Sequence, residues 1–176
     1  MRSEWISKGD FEHVLAALYP ENRLALEVSL ATGLRINDVL GLKTAHVRKG
    51  RFTVREEKTG KTRRVRLPNE LVSRCMATAG HHYVFEHRLN GRKHRTRQAV
   101  FKDLRRVAVL FKVKEHLSPH SARKVFAVEE YERTGGDLQR VKRLLNHSDE
   151  GVTMLYAMAN VLNRRKNFLD KQKRVR

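Results

Sequence analysis

The chain of 176 residues has a single cysteine, Cys75, so an internal disulfide framework is excluded, and without a second thiol so is a cysteine-based zinc site. Cys75 is expected to pack on a helix face. No apolar run approaches the roughly 20 residues that span a bilayer. The N-terminal stretch MRSEWISKGDFEH lacks the apolar centre of a secretory signal, and a soluble intracellular protein is expected. No internal repeat or long linker interrupts the pattern, which suggests one compact unit over residues 1–176 with its own core. Acidic residues are scarce: 19 Asp plus Glu stand against 38 Lys plus Arg, a formal net charge of +19. No group of carboxylates is placed to hold two metal ions, which disfavours a metal-dependent nuclease. The cation excess calls for a polyanionic partner. A ribosomal protein would share that composition, because attraction to phosphate is independent of sequence.

What is present reads mainly as helix. Ser7 and Asp10 form a capping-box-like start with Ile6 and Phe11 as a hydrophobic staple, so a helix is expected from about Lys8 to near Tyr19. Pro20 opens a second helix carrying Leu24, Val28 and Ala31, which Gly33 stops; Arg35 lies just past the stop, on the turn into a short helix through Leu42. From 44 to 67, Val47, Phe52, Val54, Val65 and Leu67 alternate with polar residues, and Lys49-Gly50 and Thr59-Gly60 mark turns. A three-stranded antiparallel meander is expected there. Helix resumes after Pro68 to about Thr78, and 80–95 is polar, histidine-rich and irregular. Thr96 caps a long helix with Val100, Leu104, Val107, Ala108 and Phe111 on one side. Ser118-Pro119 starts the next helix, Gly135-Gly136 closes it, and Asp137 starts another through Leu145.

Several residues have side chains suited to phosphate chemistry. Arg35 and Arg123 offer bidentate guanidinium contacts that a lysine point charge does not. His120 and Arg123, three apart at a helix start, share a face whose N-terminal dipoles favour an anion. Lys58 stands on a basic turn after the second expected strand, where a counterion to phosphate is the plain reading; Lys61 competes for any more specific role. Asp38 either orients Arg35 or is an ordinary surface carboxylate. Tyr156, nine residues after His147, is either a core aromatic or a nucleophile. A phenol of pKa about 10 needs a base or strong positive potential to attack. His81, His82, His87 and His94 share one basic stretch without metal-site spacing, and groove or phosphate contact is their expected use.

Four segments taken together, ATGLRINDVLGLK, REEKTGKTRRVRLP, SPHSARKVFAVE and LLNHSDEGVTMLYA, resemble in order and spacing the motifs of the tyrosine recombinase (phage integrase) family, from about Ser7 to Ala157. The resemblance implies an α+β, mainly α-helical catalytic fold with a small three-stranded antiparallel sheet. It implies DNA strand cleavage and rejoining without metal or other cofactor, with the catalytic set Arg35, Lys58, His120, Arg123, His147 and Tyr156. On this likeness Lys58 protonates the leaving 5′ oxygen, His147 donates a hydrogen bond to the scissile phosphate, and Tyr156 forms a 3′-phosphotyrosyl intermediate. Double-stranded DNA is the implied partner, with self-association through a basic C-terminal helical tail, residues 160–176. The implied setting is the cytoplasm of a prokaryotic cell or phage-infected host, on the nucleoid, in the service of phage or other mobile DNA.

Three positions depart from the pattern. Asn146 stands where glycine is usual, Lys124 follows Arg123 where histidine is common, and Met158 replaces a frequent histidine. None removes a primary group. The separate N-terminal DNA-binding domain usual in the family is not expected within these residues. Two rivals are a type IB topoisomerase-like nicking and resealing enzyme and a non-catalytic DNA-binding regulator on the same scaffold.

Overall fold

The computed structural model describes residues 6–145. Packing divides the chain into two compact units, residues 1–126 and 127–176.

In the first unit, local caps set the helix borders. Helix α1 (Lys8–Ala16) starts where Ser7 Oγ accepts from the Asp10 amide, with Ile6 and Phe11 both buried, and ends a turn earlier than Tyr19. Helix α2 (Pro20–Thr32) has proline in its first turn, where a missing N–H costs nothing. Its residues Leu24, Ala25, Leu26, Val28, Ser29 and Thr32 are all buried, which makes it the central helix of the unit. Burial of a leucine such as Leu26 contributes about 2 kcal/mol or more. Gly33, at φ 66°, ends α2 in the left-handed conformation that glycine adopts without strain. Helix α3 (Ile36–Leu40) follows at once, buried through Ile36, Val39 and Leu40.

The three-stranded meander is not formed. Residues expected as its first strand make a short helix, α4 (Thr44–Val47), closed by bonds such as Val47 N–H to Lys43 O at 3.2 Å. One buried valine among polar neighbours fits either period over so few residues, and the helical bonds decide. Strands β1 (Arg51–Arg55) and β2 (Thr62–Arg66) pair antiparallel, with Val54 opposite Arg63. Lys58 therefore sits in the turn after the first strand, not the second. Helix α5 (Asn69–Thr78) buries Leu71 and Cys75, and burial pushes the Cys75 thiol up to about 11, the mark of an inert packing residue.

The stretch expected to be irregular holds a second hairpin, β3 (Glu86–His87) with β4 (Asn90–His94). Its strands are short, polar and without apolar alternation, so nothing local announces them. Glu86 ties this region together by accepting from the amides of His82 and Tyr83. Helix α6 (Arg97–Leu110) is capped by Thr96 and buries Val100, Leu104, Val107 and Ala108 as expected, while Phe111 is exposed just past its end. Buried Asp103 accepts from the Tyr19 amide, Asn22 and Arg106, fastening α6 to the start of α2.

Helix α7 (His120–Arg133) begins in the first unit. Its start is held reciprocally: Ser118 Oγ accepts from the His120 amide, and Ser121 Oγ accepts from the Ser118 amide. In the second unit α7 ends at positive-φ Gly135 and Gly136, and Asp137 caps helix α8 (Leu138–Leu144) by accepting from the Arg140 amide.

Candidate active site

The site grows from the end of α2. Thr32 Oγ1 donates to Val28 O and accepts from the Leu34 amide, and Ser29 Oγ donates to Leu34 O at 2.8 Å. These bonds fix the turn through Gly33, and extended Arg35 then becomes the first residue of the α3 entry. Its guanidinium Nη1 donates to Glu56 Oε2 at 2.6 Å, with Arg35 12% and Glu56 0% exposed. From the other side, Arg123 in the first turn of α7 donates through Nη1 to Gly33 O at 2.5 Å and is only 1% exposed. One glycine thus ends α2, leads into Arg35 and receives Arg123.

A third guanidinium joins them. Arg63 on β2 donates through Nη2 to the carbonyl of Thr32. Along β2, Arg63 shares a face with buried Val65, and along β1 the buried Val54 shares its face with Glu56. Both charges therefore point inward by strand alternation. Asp38, 7% exposed, does not bond Arg35; its Oδ1 accepts from the Glu57 amide at 2.9 Å. Asn37 Nδ2 reaches Glu57 Oε2 at 3.3 Å, and Thr59 Oγ1 donates to Glu56 Oε2 at 3.1 Å. The turn carrying Lys58 is consequently fastened to α3 through Glu57 on one side of the lysine and to Glu56, the partner of Arg35, through Thr59 on the other.

This is a crowded electrostatic site. Burial, then the adjacent Arg35, pulls Arg123 down to about 10, so it remains a cation at neutral pH. Burial likewise lowers Arg63, opposed by Glu56 and Asp38. Asp38 is raised, first by burial and further by Glu56, against the bond from the Glu57 amide and the charges of Arg35 and Arg123. His120 is pushed down to about 4, first by burial of its ring and then by Arg123, Arg97, Arg35 and Lys124. The residue as a whole is exposed, so solvent screens part of that penalty; the direction, a neutral imidazole at neutral pH, is the consequence that matters. Among the described residues, Asp38 Oδ2, Glu56 Oε1 and Arg63 Nη1 are buried without a hydrogen-bond partner. Such a concentration of unsatisfied polar atoms is expensive and typical of a functional site. Beside it lies a cleft of about 570 Å³ lined by Asn37, Glu57, His94, Thr96, Arg97, Gln98 and Phe101.

Of the residues singled out in the sequence, Arg35, His120 and Arg123 come together, and Lys58 is carried by a turn docked on α3. His147 and Tyr156 lie outside the described residues, as do Asn146, Met158 and the tail 160–176. Glu56 and Arg63 were missed, although their spacing from Val54 and Val65 marks the inward face. Among the described residues no three His, Cys, Asp or Glu side chains are grouped to hold a metal ion, His81, His82, His87 and His94 included.

The model of the phage integrase family matches residues 4–162. The chain belongs to the phage integrase family. Its integrase relatives include tyrosine recombinase XerD of Halalkalibacterium halodurans, 29% identical over 147 residues that cover 77% of this chain and 48% of the relative. The probable integrase/recombinase YoeC of Bacillus subtilis is 31% identical, over 71% of this chain and 70% of its own length. The chain thus spans about half the length of XerD. Among solved structures, the lambda integrase catalytic core superposes with a TM-score of 0.67 at 19% identity, covering 84% of this chain and 93% of that one. A lambda integrase dimer bound to a COC′ core site gives 0.73 at 20% identity, over 88% of this chain and 48% of that one. These likenesses establish the integrase catalytic fold, α+β and mostly helical. The small sheet expected as three strands is instead two separate two-stranded sheets among the described residues.

Proposed function

We propose that residues 1–176 act as one catalytic unit of a site-specific DNA recombinase, which cleaves and rejoins strands through a 3′-phosphotyrosyl intermediate. The observation that carries this reading is the convergence of Arg35, His120 and Arg123 beside the docked Lys58 turn, in a chain of the integrase family. Fixed guanidiniums offset charge as it develops on a phosphate, and they need no reorganisation at the moment of reaction. In the proposed step the Tyr156 phenolic oxygen forms a bond to phosphorus while the bond from phosphorus to the 5′ oxygen breaks. The departing 5′ oxygen takes a proton from the Lys58 ammonium. The phenolic proton passes to a base, the imidazole of His120 or His147, and because His120 is held at a low pKa the transfer relies on the positive potential of Arg35 and Arg123, which favours the phenolate. His147 completes the phosphate contacts. Because one phosphoester replaces another, rejoining requires no nucleotide cofactor.

Double-stranded DNA is the proposed substrate and partner, supported by the net charge of +19 and by relatives solved on DNA, such as the lambda integrase dimer on its core site. Self-association on DNA is proposed to run through the basic tail 160–176, where Val161, Leu162, Phe168 and Leu169 recur among lysines and arginines. A lambda integrase tetramer on a Holliday junction provides a family precedent for assembly. The proposed setting is the cytoplasm of a bacterial or phage-infected cell, on the nucleoid; no helix of the described residues is long and apolar enough to cross a membrane. The test is covalent trapping from a randomised pool of nicked suicide duplexes, in excess chelator. A protein–DNA adduct mapped to Tyr156, absent in Tyr156→Phe, is the expected result. No adduct, or one that persists in Tyr156→Phe, defeats the reading.

A further inference from the structure

The Lys58 turn is built differently from a free basic hairpin tip. Strands β1 and β2 end at Arg55 and Thr62, and the Glu56 amide bonds Lys61 O at 2.9 Å while the Gly60 amide bonds Glu56 O at 2.8 Å. Within that closed turn both chain neighbours of Lys58 are held. Glu57 is tied through its amide to Asp38 and through its side chain to Asn37, both on α3. Thr59 is tied through its hydroxyl to Glu56 Oε2, the same oxygen that accepts from Arg35. Glu56 is wholly buried, so this one carboxylate oxygen joins a phosphate-binding guanidinium to the lysine-bearing turn with no water competing for it.

From this we infer that Glu56 and Thr59 are positioning residues that set the Lys58 ammonium and the Arg35 guanidinium in one register, so that protonation of the leaving oxygen depends on the Thr59–Glu56–Arg35 chain. The inference rests on the proposed role of Lys58 as the acid. A buried charge-assisted contact holds a donor more narrowly than an exposed turn can, and a displacement of about 1 Å in a reacting group costs on the order of 100-fold in rate. No bond is made or broken at Glu56 or Thr59; they act only by holding Arg35 and the turn.

The decisive variant is Thr59→Val, which removes one hydroxyl from a half-buried residue and leaves the Arg35–Glu56 pair intact. Two measurements test it in the chain of 176 residues. In the first, native-state hydrogen exchange at the Glu57 and Gly60 amides should accelerate about 5- to 10-fold, the equivalent of one net hydrogen bond, while α2 amides stay unchanged. Unchanged exchange at both amides overturns the inference whatever the catalytic result. In the second, single-turnover cleavage is compared on a trapped suicide duplex with the ordinary 5′ oxygen and on its counterpart with a bridging 5′ sulfur. A thiolate leaves without needing a proton, so loss of an acid is rescued by sulfur and loss of a phosphate contact is not. Thr59→Val should fall about 10- to 100-fold on oxygen and match the unaltered chain on sulfur; Glu56→Gln should be rescued on sulfur only in part, since it also loosens Arg35. Equal impairment of Thr59→Val on both duplexes, or none on oxygen, overturns the inference. Lys58→Ala is the control: if sulfur fails to rescue it, the assignment of Lys58 as the acid fails. If sulfur rescues Lys58→Ala but not Thr59→Val, only the positioning inference falls.

Discussion

Gly33→Ala is expected to be among the most damaging single-methyl additions in the chain, and the structure divides its cost into two parts. At φ 66° an alanine pays about 1 kcal/mol or somewhat more for the left-handed backbone. Its Cβ would stand 2.4 Å from Cδ1 of Phe126 and 2.5 Å from Cε1, closer than carbon atoms approach. Phe126 is buried, so the ring has to shift within a packed core, which costs a further ~1–3 kcal/mol. Urea unfolding should therefore show a loss of about 2–4 kcal/mol with an unchanged m-value. A double-mutant cycle separates the parts. Phe126→Ala alone costs about 3–5 kcal/mol, but in that background Gly33→Ala should cost only its backbone share. The coupling should thus be about 1–3 kcal/mol. Costs that add to within about 0.5 kcal/mol would refute the clash and leave backbone strain alone. Cleavage should also fall, because the Gly33 carbonyl receives Arg123 and any shift of it moves that guanidinium.

Arg35→Lys and Arg123→Lys should each lower single-turnover cleavage on the order of 100-fold or more, since the point charge loses bidentate geometry; near-normal rates would make both ordinary phosphate anchors. His120 has a folded pKa lowered from 6.5 to about 4, so its share of stability is present above about pH 6.5 and is lost as pH falls toward 4. Asp38, whose pKa is raised, works in the opposite sense, gaining stability as pH falls through its folded value. The urea midpoint of the unaltered chain should therefore drop more steeply than that of His120→Gln between pH 6.5 and 4; parallel curves would deny His120 this role. Deleting residues 160–176 should leave binding of one subunit to DNA and weaken assembly on paired sites in a gel-shift titration. Assembly as strong as that of the intact chain would assign the tail's basic residues to phosphate contact.

Helix borders were legible in the sequence because each is written by residues within a turn of one another. Ser7, Thr96 and Asp137 all accept from an amide three residues on, and Gly33 takes the one backbone conformation that other residues avoid. The sheet was less legible, for two different reasons. Val47 lies in a window too short to separate a strand from a helical turn, and the bonds that choose helix are made by its backbone to Lys43 and Gly50 rather than by its side chain. The β3–β4 hairpin has no apolar alternation, and it depends on Glu86 reaching back to the amides of His82 and Tyr83. Motif spacing singled out Arg35, His120 and Arg123, which the structure brings together, but not what holds them. The inward face of β1 and β2 was readable from Val54 and Val65. A charged residue on such a face reads as a strand end near solvent until its partners, Arg35 for Glu56 and the Thr32 carbonyl for Arg63, are seen.

That unreadable part explains how three guanidiniums can lie together before any phosphate arrives. Arg35, Arg63 and Arg123 repel one another, and burial lowers the pKa of both Arg63 and Arg123. Two carbonyls at the end of α2, those of Thr32 and Gly33, take one arginine each, and Glu56 takes the third. Neutral carbonyls fix geometry without cancelling charge; a carboxylate does both. Glu56 and Asp38 together therefore reduce the repulsion but leave a cationic excess of one among three guanidiniums and two carboxylates. A scissile phosphate entering this site would meet cations already oriented, with the ordering cost met during folding rather than in the transition state. The same balance makes the loss of Glu56 costly to the site. Removing it would leave Arg35 without the carboxylate that fixes its side chain and would raise the net charge of a buried cluster by one, a change that breaking a buried pair makes costly by about 3–5 kcal/mol.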